Sequence, residues 1–318
     1  MKNIYSNIFS FNRKILNKTI KYLKSERVVS LPTETVYGLA GNAYSKNSIK
    51  KIFMLKKRPN YNPLIIHYYS KSQAENDVIF NKNFSKLYKK FCPGPLTFVL
   101  RLKKSSKISK NVTSNQKTLA IRFPSHPLTK KLLKLLNYPL AAPSANISTK
   151  ISPVSKGDVK EEFGNKIKFI LDGGRSKIGL ESTIVSLVNK PRILRLGGME
   201  RSKINKVLNK NITFDSVKKK IIVPGQSKLH YSPGIPIKLN STNPKPNEAF
   251  ILIKKRKKSY KNYYYLSKNR NLKQAAKNLY KILREIKNKK YKSIVVEKIP
   301  NIGFGEVIND RLRRASAK

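Results

Sequence analysis

Apolar residues recur at near-helical spacing at Ile15, Ile20 and Leu23, and the pattern then changes to the unbroken run Val28-Val29-Ser30-Leu31, so a first helix feeds a first strand. Pro32 ends that strand because it has no N–H to give to a ladder. Ile49, Ile52 and Phe53 share one face of a helix over residues 48–56, which Pro59 stops ahead of a strand over residues 64–68. Further strands are expected at Leu96–Leu102, Thr118–Arg122, 167–171, 182–187 and 192–196, with a helix over residues 128–136. This alternation argues for an open α/β sheet covered by helices. Residues 203–246 lose the periodicity: charge runs, Asn, Ser and five prolines leave only the short apolar run from Ile221 to Val223, and the stretch reads as a linker. Strands at 250–253 and 294–296, a tyrosine-rich segment at 263–265, a helix over 272–286 and a terminal helix from about Gly305 then form a small α/β unit. The expected division is a leader at 1–12, a main domain at 13–202, a linker at 203–246 and a small C-terminal domain at 247–318.

Composition narrows the function classes. Across 318 residues the longest apolar runs are a few residues, far from the roughly 20 that a membrane span needs, so a soluble chain without membrane contact is expected. The first residues mix Asn, Ser and aromatics without an apolar signal region, which reads as a loose leader and a cytoplasmic location. One cysteine, Cys92, excludes an internal disulfide and a multi-thiolate zinc site, and three histidines make a His-rich metal site improbable. The formal charge of +53 attracts polyanions, either RNA or a nucleotide triphosphate. A Lys- and Asn-biased composition spread over solvated surfaces gives the same number, so charge alone does not choose between them.

Neither G-x-x-x-x-G-K-[ST] nor a strand-borne G-x-G-x-x-G is present, so phosphates must be held otherwise. Lys56 and Arg58, at the end of the second helix, suit a polyphosphate as a point charge and a planar fork, although cations in a last turn also complement the helix dipole. The turn Ala142-Pro143-Ser144-Ala145-Asn146 follows a strand and can present hydroxyl, amide and backbone donors. His67 either orients a ligand or satisfies a core hydrogen bond, and Arg122 either grips a carboxylate or is solvated at its strand end.

Taken together, Leu31-Pro32-Thr33-Glu34-Thr35-Val36-Tyr37-Gly38-Leu39, Lys56-x-Arg58-Pro59, Pro63-Leu64-Ile65-Ile66-His67 and Pro93-Gly94-Pro95-Leu96-Thr97 resemble, in order, the YrdC-like domain of the threonylcarbamoyl-AMP synthases. Ala120-Ile121-Arg122-Phe123-Pro124, the Ser144-x-Asn146 turn, Glu181-Ser182-Thr183-Ile184-Val185 and Leu194-Arg195-Leu196-Gly197 continue the series. Pro224-Gly225, His230-Tyr231-Ser232-Pro233, Gly303-Phe304-Gly305 and Asn309-Asp310-Arg311-Leu312 resemble the linker and extra domain of the family's long form. Three departures stand out: Cys92 in place of a common tryptophan, Leu196 in place of a frequent proline, and Ser186 in place of an aspartate.

The resemblance implies an open, twisted mixed sheet covered by helices, with a smaller Rossmann-like C-terminal α/β domain. It implies a nucleotidyltransferase that makes threonylcarbamoyl-AMP and pyrophosphate from L-threonine, bicarbonate or CO2, and ATP. Mg²⁺ would arrive with the ATP rather than in a protein metal site. The product would go to a tRNA threonylcarbamoyl transferase complex that modifies adenosine 37. By the same resemblance Lys56, Arg58, Ser144 and Asn146 are the catalytic set. Arg58, Asn62, Thr118, Ser144, Ser152, Arg195 and Tyr231 fall at ATP positions, and Thr35, His67, Arg122, Ala142 and Ser182 at threonine positions. Cys92 is expected to pack rather than react. Tyr231 places the linker over the nucleotide as a lid. Two other readings remain: an RNA-binding module, with non-specific RNA binding driven by charge, and carbamoyl transfer as in hydrogenase maturation, whose proteins carry cysteine-rich zinc modules that one cysteine cannot supply.

Overall fold

The computed structural model describes residues 7–214 and 222–317. The main domain runs β1 (Ile8–Ser10), α1 (Arg13–Lys24), β2 (Val29–Leu31), β3 (Gly38–Asn42), α2 (Lys46–Lys56), β4 (Ile65–His67), α3 (Lys71–Glu75), β5 (Val78–Ile79), α4 (Lys82–Phe91) and β6 (Leu96–Leu102). It continues with α5 (Lys110–Thr113), β7 (Thr118–Arg122), α6 (Pro127–Leu135), β8 (Leu140–Ala141), α7 (Lys156–Phe163), β9 (Ile170–Asp172), β10 (Thr183–Ser186), β11 (Arg192–Arg195) and α8 (Arg201–Leu208). The C-terminal unit contains β12 (Ile237–Leu239), β13 (Glu248–Leu252), β14 (Tyr263–Tyr265), α9 (Leu272–Lys287), β15 (Ser293–Val296) and α10 (Phe304–Ala315).

Several helices start where a short polar side chain takes an otherwise orphaned N–H. Asn12, Ser45, Asn81 and Asn271 each cap this way, and Ser155 with Asp158 forms a reciprocal capping box. The main sheet has eleven strands in the order β1-β9-β2-β3-β8-β4-β7-β6-β10-β11, with β5 on β6. It is mixed: β4–β7 and β6–β10 are parallel, whereas β6–β7 and β10–β11 are antiparallel. Period-two alternation divides the central strands. Ile66, Phe98, Leu119 and Ile121 face a core with Ile49, Ile52 and Phe53 of α2 and Phe84 and Leu87 of α4. On the opposite face Ile65, Val99, Ala120, Ile184 and Leu194 pack against Val223 of the linker. Burying that valine contributes about 1.5–3 kcal/mol to holding the linker on the sheet. A further core joins α1 and α6 to β2 through Leu23, Leu132, Val29 and Leu31.

The second sheet is parallel throughout, in the order β12-β15-β13-β14, and all of β13 is buried, as expected for a strand covered on both faces. The expected α/β class, the mixed sheet and the smaller C-terminal α/β unit are thus present. Some of the sequence divisions shift. Residues 8–10 of the expected leader form an edge strand on β9, with Phe9 stacked on Phe169 at 4.3 Å, because the apolar pair Ile8-Phe9 is buried best at that edge. The expected linker begins inside α8, whose Ile204 and Leu208 are buried, and β12 within it belongs to the C-terminal sheet. Of the apolar run Ile221 to Val223, Ile221 lies outside the described residues. Among the described residues no helix is long and apolar enough to cross a membrane.

Candidate active site

Helix α2 ends because Lys57 takes a left-handed conformation (φ 48°) and returns its N–H to Met54 and Phe53 carbonyls. Lys56, in the last turn, is therefore aimed inward, and Arg58 is carried across the sheet end. The Lys56 Nζ donates to the carbonyls of Ser144 and Asn146, each at 2.5 Å, and so closes the polar turn after β8. That turn is also tied to β3 by a bridge between Gly38 and Ser144. Burial, reinforced by the nearby Arg58 charge, holds the Lys56 ammonium well below the usual lysine range. Asn146 donates through Nδ2 to the carbonyls of Ile147 and Lys150, which leaves its buried Oδ1 without a partner.

Two guanidiniums occupy the same end of the sheet. Arg58 donates to the carbonyls of Asn62 (2.9 Å) and Pro63 (2.7 Å) and to the Asn62 side chain. Arg195, the last residue of β11, donates to the Ser182 carbonyl at 2.8 Å, to the Ser182 hydroxyl at 3.1 Å and to the Pro224 carbonyl at 3.3 Å. Both are buried, and among the described residues neither forms a salt bridge with a carboxylate, although Glu181 lies within electrostatic reach of Arg195. Burial first, then the neighbouring Arg195, lowers Arg58 to about 9, and burial lowers Arg195 as well. Buried positive charge without a salt-bridge partner is costly, so this pair suits an anion.

At the other side of the cavity, Arg122 at the end of β7 forms an ion pair with Glu34 at 2.7 Å, while its Nε is buried without a partner. His67, on the register-matched position of β4, is held well below its usual range by burial and by Arg122, so its imidazole is neutral, and its Nδ1 is likewise unpartnered. Thr35 is fixed by a 2.8 Å hydrogen bond between its hydroxyl and that of Thr33. The Ser182 hydroxyl meets that of Thr97 at 2.7 Å.

The linker closes the remaining side. Tyr231, at φ 62°, is fully enclosed; its ring packs on His230, on Tyr280 and under the Arg311 guanidinium, 4.5 Å from the ring centre, and its hydroxyl is unpartnered. Gly225, at φ 86°, allows this closeness, since a Cβ there would sit 2.7 Å from the Tyr231 hydroxyl and 2.8 Å from Arg195. Burial drives the Tyr231 phenol up to about 12 and His230 down to about 3.

The structure brings Thr35, Arg58, His67, Arg122, Ala142, Ser144, Ser182, Arg195 and Tyr231 around one cavity of about 40 Å³, whose lining also includes Pro224 and His230 of the linker. Lys56 and Asn146 stand directly behind it, Asn62 positions Arg58, and the Ser152 hydroxyl donates to Glu181 at 2.5 Å. Thr118 is apart: it opens β7, four residues before Arg122, and lines a separate cavity of about 800 Å³ with Arg101, Lys103 and Lys117. Cys92 packs against the core with its thiol driven up to about 12 by burial, which fits a packing role. Glu181 and His230 also line the cavity, and Glu34 stands behind it on Arg122, although sequence reasoning gave them no role. Their signal was adjacency: each directly precedes or lies inside a motif block already recognised.

A family model covering the Sua5, YciO and YrdC proteins, described as Telomere recombination, matches residues 21–197, and one described as Threonylcarbamoyl-AMP synthase, C-terminal domain, matches residues 199–317. The chain is similar to a threonylcarbamoyl-AMP synthase of Pyrococcus abyssi (36% identity, spanning 93% of this chain and 92% of the relative). It is also similar to one of Bacillus subtilis (35% identity, 92% of this chain and 90% of the relative). The crystal structure of P. abyssi Sua5 complexed with L-threonine superposes with a TM-score of 0.88 at 32% identity, covering 98% of this chain and 97% of that one. With both domains matched and nearly the full length shared, the chain belongs to the threonylcarbamoyl-AMP synthase (Sua5) family.

Proposed function

We propose that this protein is an L-threonylcarbamoyladenylate synthase, a nucleotidyltransferase that joins L-threonine, bicarbonate or CO2, and ATP and releases pyrophosphate. The observation that carries this reading is the pair of buried guanidiniums of Arg58 and Arg195, without a salt-bridge partner among the described residues, facing the Arg122–His67 end of the same cavity. One end suits a polyanion and the other a small zwitterion. The Arg122 guanidinium would take the amino-acid carboxylate, with Thr35, the neutral His67, Ala142 and Ser182 around the remainder of threonine. The threonine amine and CO2 give a carbamate. A carbamate oxygen forms a bond to the α-phosphorus of ATP as the α,β-bridging P–O bond breaks, and the electron pair leaves on pyrophosphate.

Such a transfer asks for positioning and for cations where negative charge spreads, not for a protein nucleophile. Arg58 and Arg195 would supply those cations, Asn62 and Ser152 would fix neighbouring groups, and Ser144 and Asn146 would present hydroxyl and amide to the nucleotide. Lys56 would act through the turn it closes. Thr118 would have to reach the nucleotide from the start of β7. Mg²⁺ would come with the triphosphate, on whose oxygens it neutralises charge, because Glu34 and Glu181 are already engaged by Arg122 and Arg311. Since Pro224, His230 and Tyr231 of the linker help to wall a cavity of only about 40 Å³, too small for ATP, the linker must lift for ATP to enter and can then exclude water over the bound nucleotide. A cytoplasmic enzyme that hands its adenylate to a tRNA threonylcarbamoyl transferase completes the reading; a lone, unreactive cysteine suits that compartment.

The test is pyrophosphate release from ATP and Mg²⁺ with L-threonine and bicarbonate each withheld in turn. Release that needs both supports the reading. Release without threonine would replace it with ATP hydrolysis or another acceptor.

A further inference from the structure

Arg311 of α10 is the largest fully buried side chain among the described residues, and it reaches from the C-terminal domain to Glu181 and Tyr231, which line the cavity. Its Nε donates to the Glu181 carboxylate at 3.1 Å, one NH2 donates to the Leu196 carbonyl at 2.6 Å, and the other pairs with Asp310 at 2.6 Å. Glu181 is further held by the Tyr280 hydroxyl of α9 at 2.9 Å and the Ser152 hydroxyl at 2.5 Å. Every strong partner of this carboxylate except Ser152 therefore belongs to the C-terminal domain.

Glu181 stands one residue before Ser182, the residue on which Arg195 rests, and both Glu181 and Arg195 line the cavity. Glu181 and Arg195 lie within electrostatic reach of each other: the carboxylate raises Arg195 and Arg195 lowers the carboxylate. A buried carboxylate without a partner is costly, so it takes whichever cation is at hand. With Arg311 in place the cation it takes is Arg311, and Arg195 keeps its fork on carbonyls that a phosphate can supplement. Without Arg311 the nearest alternative is Arg195 itself.

We propose that Arg311 is a positioning residue for nucleotide binding: by occupying Glu181 it keeps the Arg195 guanidinium available to the anionic substrate, and this is one task of the C-terminal domain. The same helix also seats the linker. Arg314 donates to the Gln226 and Ser227 carbonyls, and the His230 N–H donates back to the Arg314 carbonyl at 3.2 Å. The proposal rests on the reading of the Arg58–Arg195 end as the ATP site.

The experiment is direct measurement of ATP binding by calorimetry, without turnover, on the full chain and on Arg311→Met, Glu181→Gln and the double variant, with thermal melts alongside. Arg311→Met keeps the stem but leaves Glu181 unpaired, and ATP binding should weaken on the order of tenfold or more. Adding Glu181→Gln removes the competing charge and should recover most of that loss. Arg311→Lys, which keeps a charge for Glu181, should fall between. If the double variant binds ATP no better than Arg311→Met, or if ATP binding follows the melting temperature across the set, Arg311 is only a structural brace and the proposal fails. If the parent protein binds no ATP, it is the reading of the site that fails.

Discussion

Lys56 tests whether the site works by direct contact or by holding a turn. In the sequence this lysine suits a polyphosphate, yet its Nζ is committed to the Ser144 and Asn146 carbonyls and is almost wholly buried. Replacing it by methionine keeps the stem and deletes both charge-assisted bonds. Each is worth about 1.5–3 kcal/mol, and each carbonyl then loses its partner away from water. Part of the loss returns, because the ammonium no longer has to be desolvated; its lowered pKa is the sign of that cost. A net loss of about 2–3 kcal/mol is expected, or roughly 4–10 °C in melting temperature for domains of this size. The loosened turn would displace Ser144 and the Asn146 amide, and misplacement on the order of 1 Å costs up to about a hundredfold in rate. Lys56→Met should therefore lower both the melting temperature and kcat, by roughly 10- to 100-fold for the latter, while ATP affinity changes by less than about threefold. Calorimetry and steady-state kinetics read these three quantities separately. An unchanged melting temperature with a tenfold or larger loss of ATP affinity would place Lys56 on the phosphates and refute the reasoning.

Two further outcomes follow from the cavity's other walls. Arg122→Met should weaken L-threonine binding by at least about tenfold and leave ATP binding nearly unaffected, since its ion-pair partner among the described residues is Glu34, at the threonine end; titration calorimetry with each ligand decides it, and equal losses for both ligands would count against the division of the cavity. Burial lowers His67 well below 6.5 and His230 to about 3, so below pH 6.5 the unfolded chain binds protons that the folded chain does not, and stability falls as the pH drops. His230→Gln should make that slope shallower by about 1.4 kcal/mol per pH unit between pH 6.5 and 4.5, measured by denaturant unfolding, and an unaltered slope would show that His230 is already charged in the fold. Below 4.5 the Glu181 carboxylate takes over: burial raises it, but Arg311 and Arg195 outweigh that and bring it to about 2, so its stabilisation is present above 4.5 and lost towards 2.

The elements legible in the sequence are those whose local pattern agrees with their burial. β6 and β7 carry β-branched and apolar residues in alternation and lie where the pattern puts them, and α9 shows its apolar stripe from Ala275 to Ile286. β3, with the sequence Gly-Leu-Ala-Gly-Asn, has almost no strand propensity and is made a strand by antiparallel neighbours on both sides. α4 carries Phe84, Leu87, Tyr88 and Phe91 at i, i+3, i+4 and i+7, a helical stripe that is present in the sequence among its lysines but is absent from the expectations above. The site divides in the same way. The K-x-R and S-x-N pairs are short and contiguous, and both are visible as motifs. What Lys56 touches is not, because its acceptors lie 88 and 90 positions away. Glu181 meets Tyr280 and Arg311 across 99 and 130 positions, a pairing that only the docking of the two domains creates.

The central claim is that the two ends of one cavity join a carbamate of threonine to adenylate. The most direct measurement is mass spectrometry of the nucleotide products formed by the purified protein from ATP, Mg²⁺, L-threonine and ¹³C-labelled bicarbonate. The account predicts an adenylate that contains threonine and one labelled carbon, formed together with pyrophosphate and absent from the Arg195→Met variant. AMP or ADP without a labelled threonyl adduct would contradict it.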